Sequence, residues 1–104
     1  MATIGSEKQE RKLAEFAKLA KSLFPHINEL AVKGAFRQGA NAAIEKSDVS
    51  TWKEMAEQPS KVRRKFFNSL LQESRPQLIG IIGKENVDVF LEKVKVENEK
   101  YLKD

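Results

Sequence analysis

Residues 59–76 have the sequence PSKVRRKFFNSLLQESRP, and this stretch guides the interpretation of the rest of the chain. When it is wound as a helix at about 100° per residue, Val62, Phe66, Phe67 and Leu70 gather on one side. The opposite side carries Lys61, Arg64, Lys65, Asn68, Gln72 and Arg75. The stretch contains five of the nineteen basic residues against one acid, a local charge of +4. This pattern predicts an amphipathic helix with one buried face and one strongly basic face.

The segments on either side also carry helical patterns. Their apolar residues recur at three- and four-residue steps, and no segment alternates apolar and polar residues as a half-buried strand would. The helices we expect cover residues 6–24, 26–46, 51–57, 60–74, 76–82 and 85–102. The chain is therefore predicted to be all-α, a compact single-domain bundle of five or six short helices.

Several helix boundaries follow from local residue types. Thr51 with Glu54 three residues later has the capping-box pattern, and Ser60 is expected to cap the basic helix. Pro76 is expected to interrupt that helix and to begin a short one that stops at Gly83.

Two glycines lie within the second predicted helix. Gly34 and Gly39 each weaken it by roughly 1 kcal/mol relative to alanine. Their presence in a segment that otherwise favours a helix indicates either the close approach of a neighbouring helix or a break near Gly39.

The apolar positions define an expected core. Its members are Leu13, Phe16, Leu23, Ile27, Leu30, Trp52, Phe66, Leu70, Ile79, Phe90, Leu91 and Val94. Phe67 remains open between the core and a role as a stacking platform for bases. Arg63 lies near the middle of the apolar arc and is expected to reach outward to solvent or to pair with an acid of the preceding short helix.

Length and composition set further limits. A chain of 104 residues suits one domain, which we place at residues 6–104 behind a flexible tail at residues 1–5. Cysteine is absent and His26 is the single histidine, so the usual catalytic triads and zinc sites lack their residues. We therefore expect no enzyme activity, no metal and no cofactor. The longest apolar run, residues 78–83, is far shorter than the roughly 20 residues of a membrane span, which favours a cytoplasmic protein without membrane contact.

The basic helix is the best candidate for function. In the first hypothesis, a nucleic-acid-binding regulatory or accessory protein contacts DNA or RNA through six residues of this helix. Those residues are Lys61, Arg64, Lys65, Asn68, Gln72 and Arg75. In the alternative, the same face binds an acidic partner protein, as an adaptor or small inhibitor would. A homodimer is compatible with both, since short helical chains often complete their cores by association.

Overall fold

The structure is a computed structural model that describes residues 7–100 and residue 102, so the predicted tail at residues 1–5 lies outside the described part. Within that part the chain forms five α-helices, which confirms the all-α prediction. They are α1 (Glu7–Leu23), α2 (Glu29–Glu45), α3 (Trp52–Ala56), α4 (Ser60–Ile82) and α5 (Lys84–Glu99).

Side-chain caps set the starts of α2 and α3. The Asn28 Oδ1 atom accepts hydrogen bonds from the backbone N–H groups of Leu30 and Ala31, at 3.0 and 3.2 Å. Helix α2 therefore begins three residues later than the predicted start at residue 26. The Thr51 Oγ1 atom accepts from the Glu54 N–H at 3.1 Å, which confirms the predicted cap of α3.

The start of α4 differs from the prediction. Ser60 is the first residue of the helix and not its cap, and Pro59 occupies the capping position without a side-chain hydrogen bond. The ring of Pro59 fixes φ, which is −59° here. The backbone direction at the start of α4 is therefore set without a side-chain hydrogen bond.

The predicted break at Pro76 is wrong, because α4 continues unbroken to Ile82. Proline has no N–H, so the Gln72 carbonyl four residues earlier loses its helical donor. Both Pro76 and Gln72 are exposed, and water can replace that donor. Buried residues on each side of Pro76, among them Ser74 and Leu78, hold both halves of the helix against the same core.

The core lies between α2 and α4 and is closed by α1 and α5. Phe16 contacts the rings of Phe36 and Phe67 at centroid distances of 5.9 and 5.6 Å, and Phe36 contacts Phe90 at 5.9 Å. Helix α2 runs without a break through Gly39, where it approaches α4 so closely that a β-carbon would lie 1.9 Å from the Ser74 Oγ atom. Of the two explanations for the glycines, close approach is therefore confirmed at Gly39.

Four members of the predicted core are not fully buried, and the position of Phe67 is now determined. Leu30 is 78% exposed, because it lies in the first turn of α2 almost opposite the buried stripe that begins with Val32. Phe67, which the sequence left open, is 96% buried, whereas Phe66 is only half-buried at the edge of the core. Leu23 and Ile79 also pack at the edge of the core, while the remaining members of the predicted set are buried.

Candidate functional site

Four of the six predicted site residues form an exposed stripe along α4. Lys61, Lys65, Asn68 and Gln72 follow one another at spacings of four, three and four residues, and all four are exposed. We call this stripe the α4 ridge. The single acid of α4, Glu73, lies on another flank of the helix and pairs with Lys46 of α2. The ridge therefore contains no carboxylate of its own helix.

The two predicted arginines lie on the flank of α4 that faces α5. Arg64 donates from Nη2 to Glu99 Oε1 at 2.9 Å and from Nε to Oε2 at 3.3 Å. Arg75 donates from Nε to Asp88 Oδ1 at 3.0 Å and from Nη2 to Oδ2 at 3.2 Å. Each arginine thus binds one carboxylate of α5 through two parallel hydrogen bonds.

The two ion pairs are separated by the same number of residues on α4 and on α5. Arg64 and Arg75 are eleven residues apart along α4, as Asp88 and Glu99 are along α5. Eleven residues are about three helical turns, so both pairs fall on the same side of two antiparallel helices. The hydrogen bonds from the arginines lower the pKa of Glu99 and of Asp88, and the Asp88 carboxylate raises the pKa of Arg75.

The charged residues of the predicted site therefore fall into two groups, the lysines of the ridge and the arginines of the flank that faces α5. On the ridge, Lys61 and Lys65 have neither an ion pair nor a hydrogen bond with any described residue. On the flank, Arg64 and Arg75 each hold a carboxylate. Exposed ion pairs are worth only about 0 to 1 kcal/mol, so a phosphate that approaches the flank can compete for these arginines.

A groove that the sequence reasoning missed lies at the N-terminal end of α4. It has a volume of about 550 Å³ and lies between α1, α3, α4 and the residues that follow α5. Leu13, Met55, Ala56, Phe66, Phe67, Leu70 and Leu102 form its apolar floor. Its other lining residues within the described part of the chain are one acid, Glu15, one amide, Gln9, and the cations Arg11, Lys12, Arg63 and Lys100. We call this feature the basic groove.

Three of its cations are held by specific contacts, one of which is the ion pair of Lys100 with Glu97 at 2.9 Å. The Lys12 ammonium lies 5.2 Å from the centre of the Phe67 ring, a cation–π distance. The Arg63 Nε atom donates to the Gln58 backbone carbonyl at 2.9 Å, which ties the start of α4 to the segment after α3. No local sequence pattern predicts that these residues form a site, because the groove combines segments that are far apart in the chain.

Other kinds of site find little support in the described residues. No group of three or more histidine, aspartate or glutamate side chains is arranged to hold a metal ion within residues 7–100 and 102. Of the helices in this part of the chain, none combines the length and apolarity that crossing a membrane requires. His26 is exposed in the connection between α1 and α2.

Comparison with known proteins adds no functional information. No family model matches the sequence, and no match is found among curated proteins or solved structures. The functional argument therefore depends on the chemistry of the α4 ridge.

Proposed function

We propose that this protein is a non-catalytic, cytoplasmic nucleic-acid-binding protein that contacts the phosphate backbone through the α4 ridge. The observation that carries the proposal is the exposed stripe of Lys61, Lys65, Asn68 and Gln72, in which neither lysine has a carboxylate partner among the residues that the structure describes. Most exposed helix faces mix charges of both signs, as the outer face of α5 does. A stripe without acids along about 16 Å of helix is suited to a polyanion.

Each type of side chain on the ridge has a role in this proposal. Lys61 and Lys65 contact phosphates, while the amides of Asn68 and Gln72 contact sugars or base edges. Arg64 and Arg75 can add to the binding only if they exchange their α5 carboxylates for phosphates. The salt dependence of binding measures that exchange. On duplex DNA the slope of log K against log salt should be about −2 for the two lysines alone and about −4 if both arginines take part.

The test is fluorescence anisotropy with labelled duplex DNA, single-stranded DNA and single-stranded RNA at low and physiological salt. The variant Lys61→Glu with Lys65→Glu should bind more than about tenfold more weakly. The matched control is Lys53→Glu with Lys93→Glu, which makes the same change of charge at two exposed lysines away from the ridge. The proposal fails if the wild-type protein binds none of the probes at low salt, or if both double variants weaken binding equally.

An acidic partner protein is the second candidate, and the two arginine pairs favour it. Glu99 and Asp88 lie beside the ridge, where they repel the evenly spaced phosphates of nucleic acid, whereas an acidic protein can place its carboxylates opposite the ridge lysines alone. Val62, which is 39% exposed next to the ridge, adds an apolar contact of a kind that protein interfaces use.

Purification from the native source separates the two candidates. If the partner is a protein, the purified complex should contain no nucleic acid, so its ultraviolet absorbance should be that of protein alone. One protein should then co-purify, and it should be lost when Lys61→Glu and Lys65→Glu are combined. That protein should be retained with Lys53→Glu and Lys93→Glu. Nucleic acid in the purified material, removed by the ridge variant alone, would instead support the first candidate.

A further inference from the structure

We propose that the outer face of α5 binds the same face of a second copy of this chain, with the two helices antiparallel. Its members are Glu85, Val89, Glu92, Lys93 and Val96 of α5 and the C-capping residue Lys100. All six are exposed, and at about 100° per residue they fall within about 100° of arc opposite the buried stripe of the helix. We call this surface the α5 face. It is separate from the α4 ridge, and the proposal does not depend on nucleic-acid binding.

Two valines form the apolar centre of the α5 face. Val89 is 56% exposed and Val96 is 68% exposed, and they are two of the four large apolar side chains that the described part of the chain leaves exposed. They are seven residues apart, nearly two helical turns, so they lie on one line along the helix. Valine is a poorer helix former than lysine or glutamate, so helix formation alone does not explain two valines on a solvated face.

The charges of the α5 face are separated along the helix. The acids Glu85 and Glu92 lie in its first half, and the cations Lys93 and Lys100 lie in its second half. These four charges sum to zero, so the face does not repel a second copy of itself as the α4 ridge would. A parallel pair of α5 helices would set acids against acids and lysines against lysines. An antiparallel pair sets each half against its opposite.

One register satisfies both the valines and the charges. If a twofold axis passes between residues 92 and 93, Val89 of one copy lies level with Val96 of the other, because the two positions are equally far from the axis. Glu85 lies level with Lys100 for the same reason. At the axis the two copies of Glu92 and Lys93 form a cluster without net charge, which the long lysine side chains can bridge. A different protein would need this order of charges in reverse, whereas the second copy supplies it by symmetry.

The ion pairs already present on the α5 face leave it open to a second copy. Glu92 pairs with Lys95 at 3.9 Å, and Lys100 pairs with Glu97 at 2.9 Å. All four of these side chains are at least 45% exposed, and exposed pairs within one helix stabilise it little. Glu92 and Lys100 can therefore add or exchange partners in a dimer. Glu85 and Lys93 have no ion pair with any residue that the structure describes.

Analytical ultracentrifugation of the full chain, from about 10 μM to about 1 mM at physiological salt, tests the proposal. An interface of one short helix from each copy is small, and protein interfaces below about 1,200 Å² are typical of transient complexes. We therefore expect a reversible equilibrium between monomer and dimer with a Kd of about 0.1 to 1 mM.

Two uncharged double variants test the apolar centre. Val89→Gln with Val96→Gln should raise the Kd of the dimer by about tenfold or more, because four valine side chains leave the interface. Leu30→Gln with Val62→Gln is the matched control, since it removes two exposed apolar side chains from α2 and α4. The control should associate as the wild-type protein does. Circular dichroism checks that both variants are folded.

Charge variants test the orientation of the two helices. In the antiparallel dimer, Glu85→Lys sets lysine against Lys100, and Lys100→Glu sets glutamate against Glu85. Each single variant should therefore raise the Kd by about threefold or more. The two changes combined restore the opposite charges and should return the Kd close to the wild-type value. In a parallel dimer all three variants would still set like charges against like, so the single variants would not differ from the wild-type protein.

The ridge variant Lys61→Glu with Lys65→Glu should associate as the wild-type protein does, so failure of this proposal is distinct from failure of the nucleic-acid proposal. At the micromolar concentrations of a binding assay the chain is monomeric, so Lys93→Glu remains a valid control there. The proposal is overturned if the protein stays monomeric at about 1 mM, or if the valine variant keeps the wild-type Kd. It is also overturned if the control weakens association equally, or if the combined charge variant does not recover what the single variants lose.

Discussion

Alanine in place of Gly39 should destabilise the protein, although alanine is the better helix former. A β-carbon at this position would lie 1.9 Å from the Ser74 Oγ atom and 2.8 Å from the Leu70 carbonyl oxygen. The Ser74 hydroxyl can rotate only by giving up its hydrogen bond to that carbonyl, which is 2.8 Å long. The Leu70 carbonyl belongs to the α4 backbone and can move only if the two helices separate.

The expected magnitude is the difference of two opposing effects. Replacing glycine by alanine inside a helix gains about 1 kcal/mol. Overpacking a tight contact costs typically about 1 to 3 kcal/mol, and a clash with backbone belongs in the upper part of that range. Gly39→Ala should therefore lower the free energy of unfolding by about 1 to 2 kcal/mol. For a domain of this size, each kcal/mol corresponds to roughly 4 to 8 °C in Tm.

Gly34→Ala is the control on the same helix, because no atom lies within 4 Å of its β-carbon position. It should raise the free energy of unfolding by about 0.5 to 1 kcal/mol. Adding Ser74→Ala to Gly39→Ala removes the nearest clash and should restore part of the loss, but not all, since the Leu70 carbonyl remains. Urea unfolding followed by circular dichroism and Trp52 fluorescence measures all four proteins. The reasoning is refuted if Gly39→Ala is as stable as Gly34→Ala.

Gly83→Ala should lower the free energy of unfolding by about 1 to 2 kcal/mol, because Gly83 has φ +103°. Gly80→Ala, at an open helical position, is the control and should be neutral or stabilising. Thermal unfolding compares the two variants. Asn98→Leu should raise Tm, because the Asn98 Oδ1 atom is buried without a hydrogen-bond partner in the described residues. Such an atom lowers the free energy of unfolding by about 1 to 3 kcal/mol. A lower Tm for the variant would contradict this reasoning. The hydrogen bond from Arg37 lowers the pKa of Glu10 in the folded state, so near pH 4 the unfolded state binds more protons at this group. The stability that Glu10 contributes is therefore complete above its unfolded pKa of 4.5 and is lost as the pH falls through the lower folded value. Urea unfolding across this pH range should show a flatter profile for Glu10→Gln, and an unchanged profile would refute the assignment.

The sequence determined the features that depend on atoms a few residues apart. The apolar stripes gave the helical fold class, since a period near 3.6 buries one face of a helix whatever lies opposite. Thr51 caps α3 through the nearby Glu54 N–H, and Gly83 ends α4 because a left-handed backbone favours glycine. The exposure of Lys61 and Lys65 followed from the same periodicity.

Local rules failed where distant residues decide the outcome. Pro76 usually ends a helix, but burial on both sides of it keeps α4 continuous. Phe66 and Phe67 are neighbours with similar propensities, and only the position of Phe16 on α1 places Phe67 in the core and leaves Phe66 at its edge. Periodicity locates a face to within about one residue, which is too coarse to separate adjacent side chains.

The charge of the candidate site depends on both the sequence and the tertiary structure. The sequence placed Lys61, Arg64, Lys65 and Arg75 on one basic helix, but Arg64 meets a carboxylate 35 residues away and Arg75 meets one 13 residues away. The basic groove likewise joins α1, α3, α4 and Leu102. A sequence specifies which side chains a helix presents, because that depends on its own period. Which of those charges are neutralised, and which apolar surfaces meet to form a groove, depends on how the helices pack, and only the tertiary structure determines it.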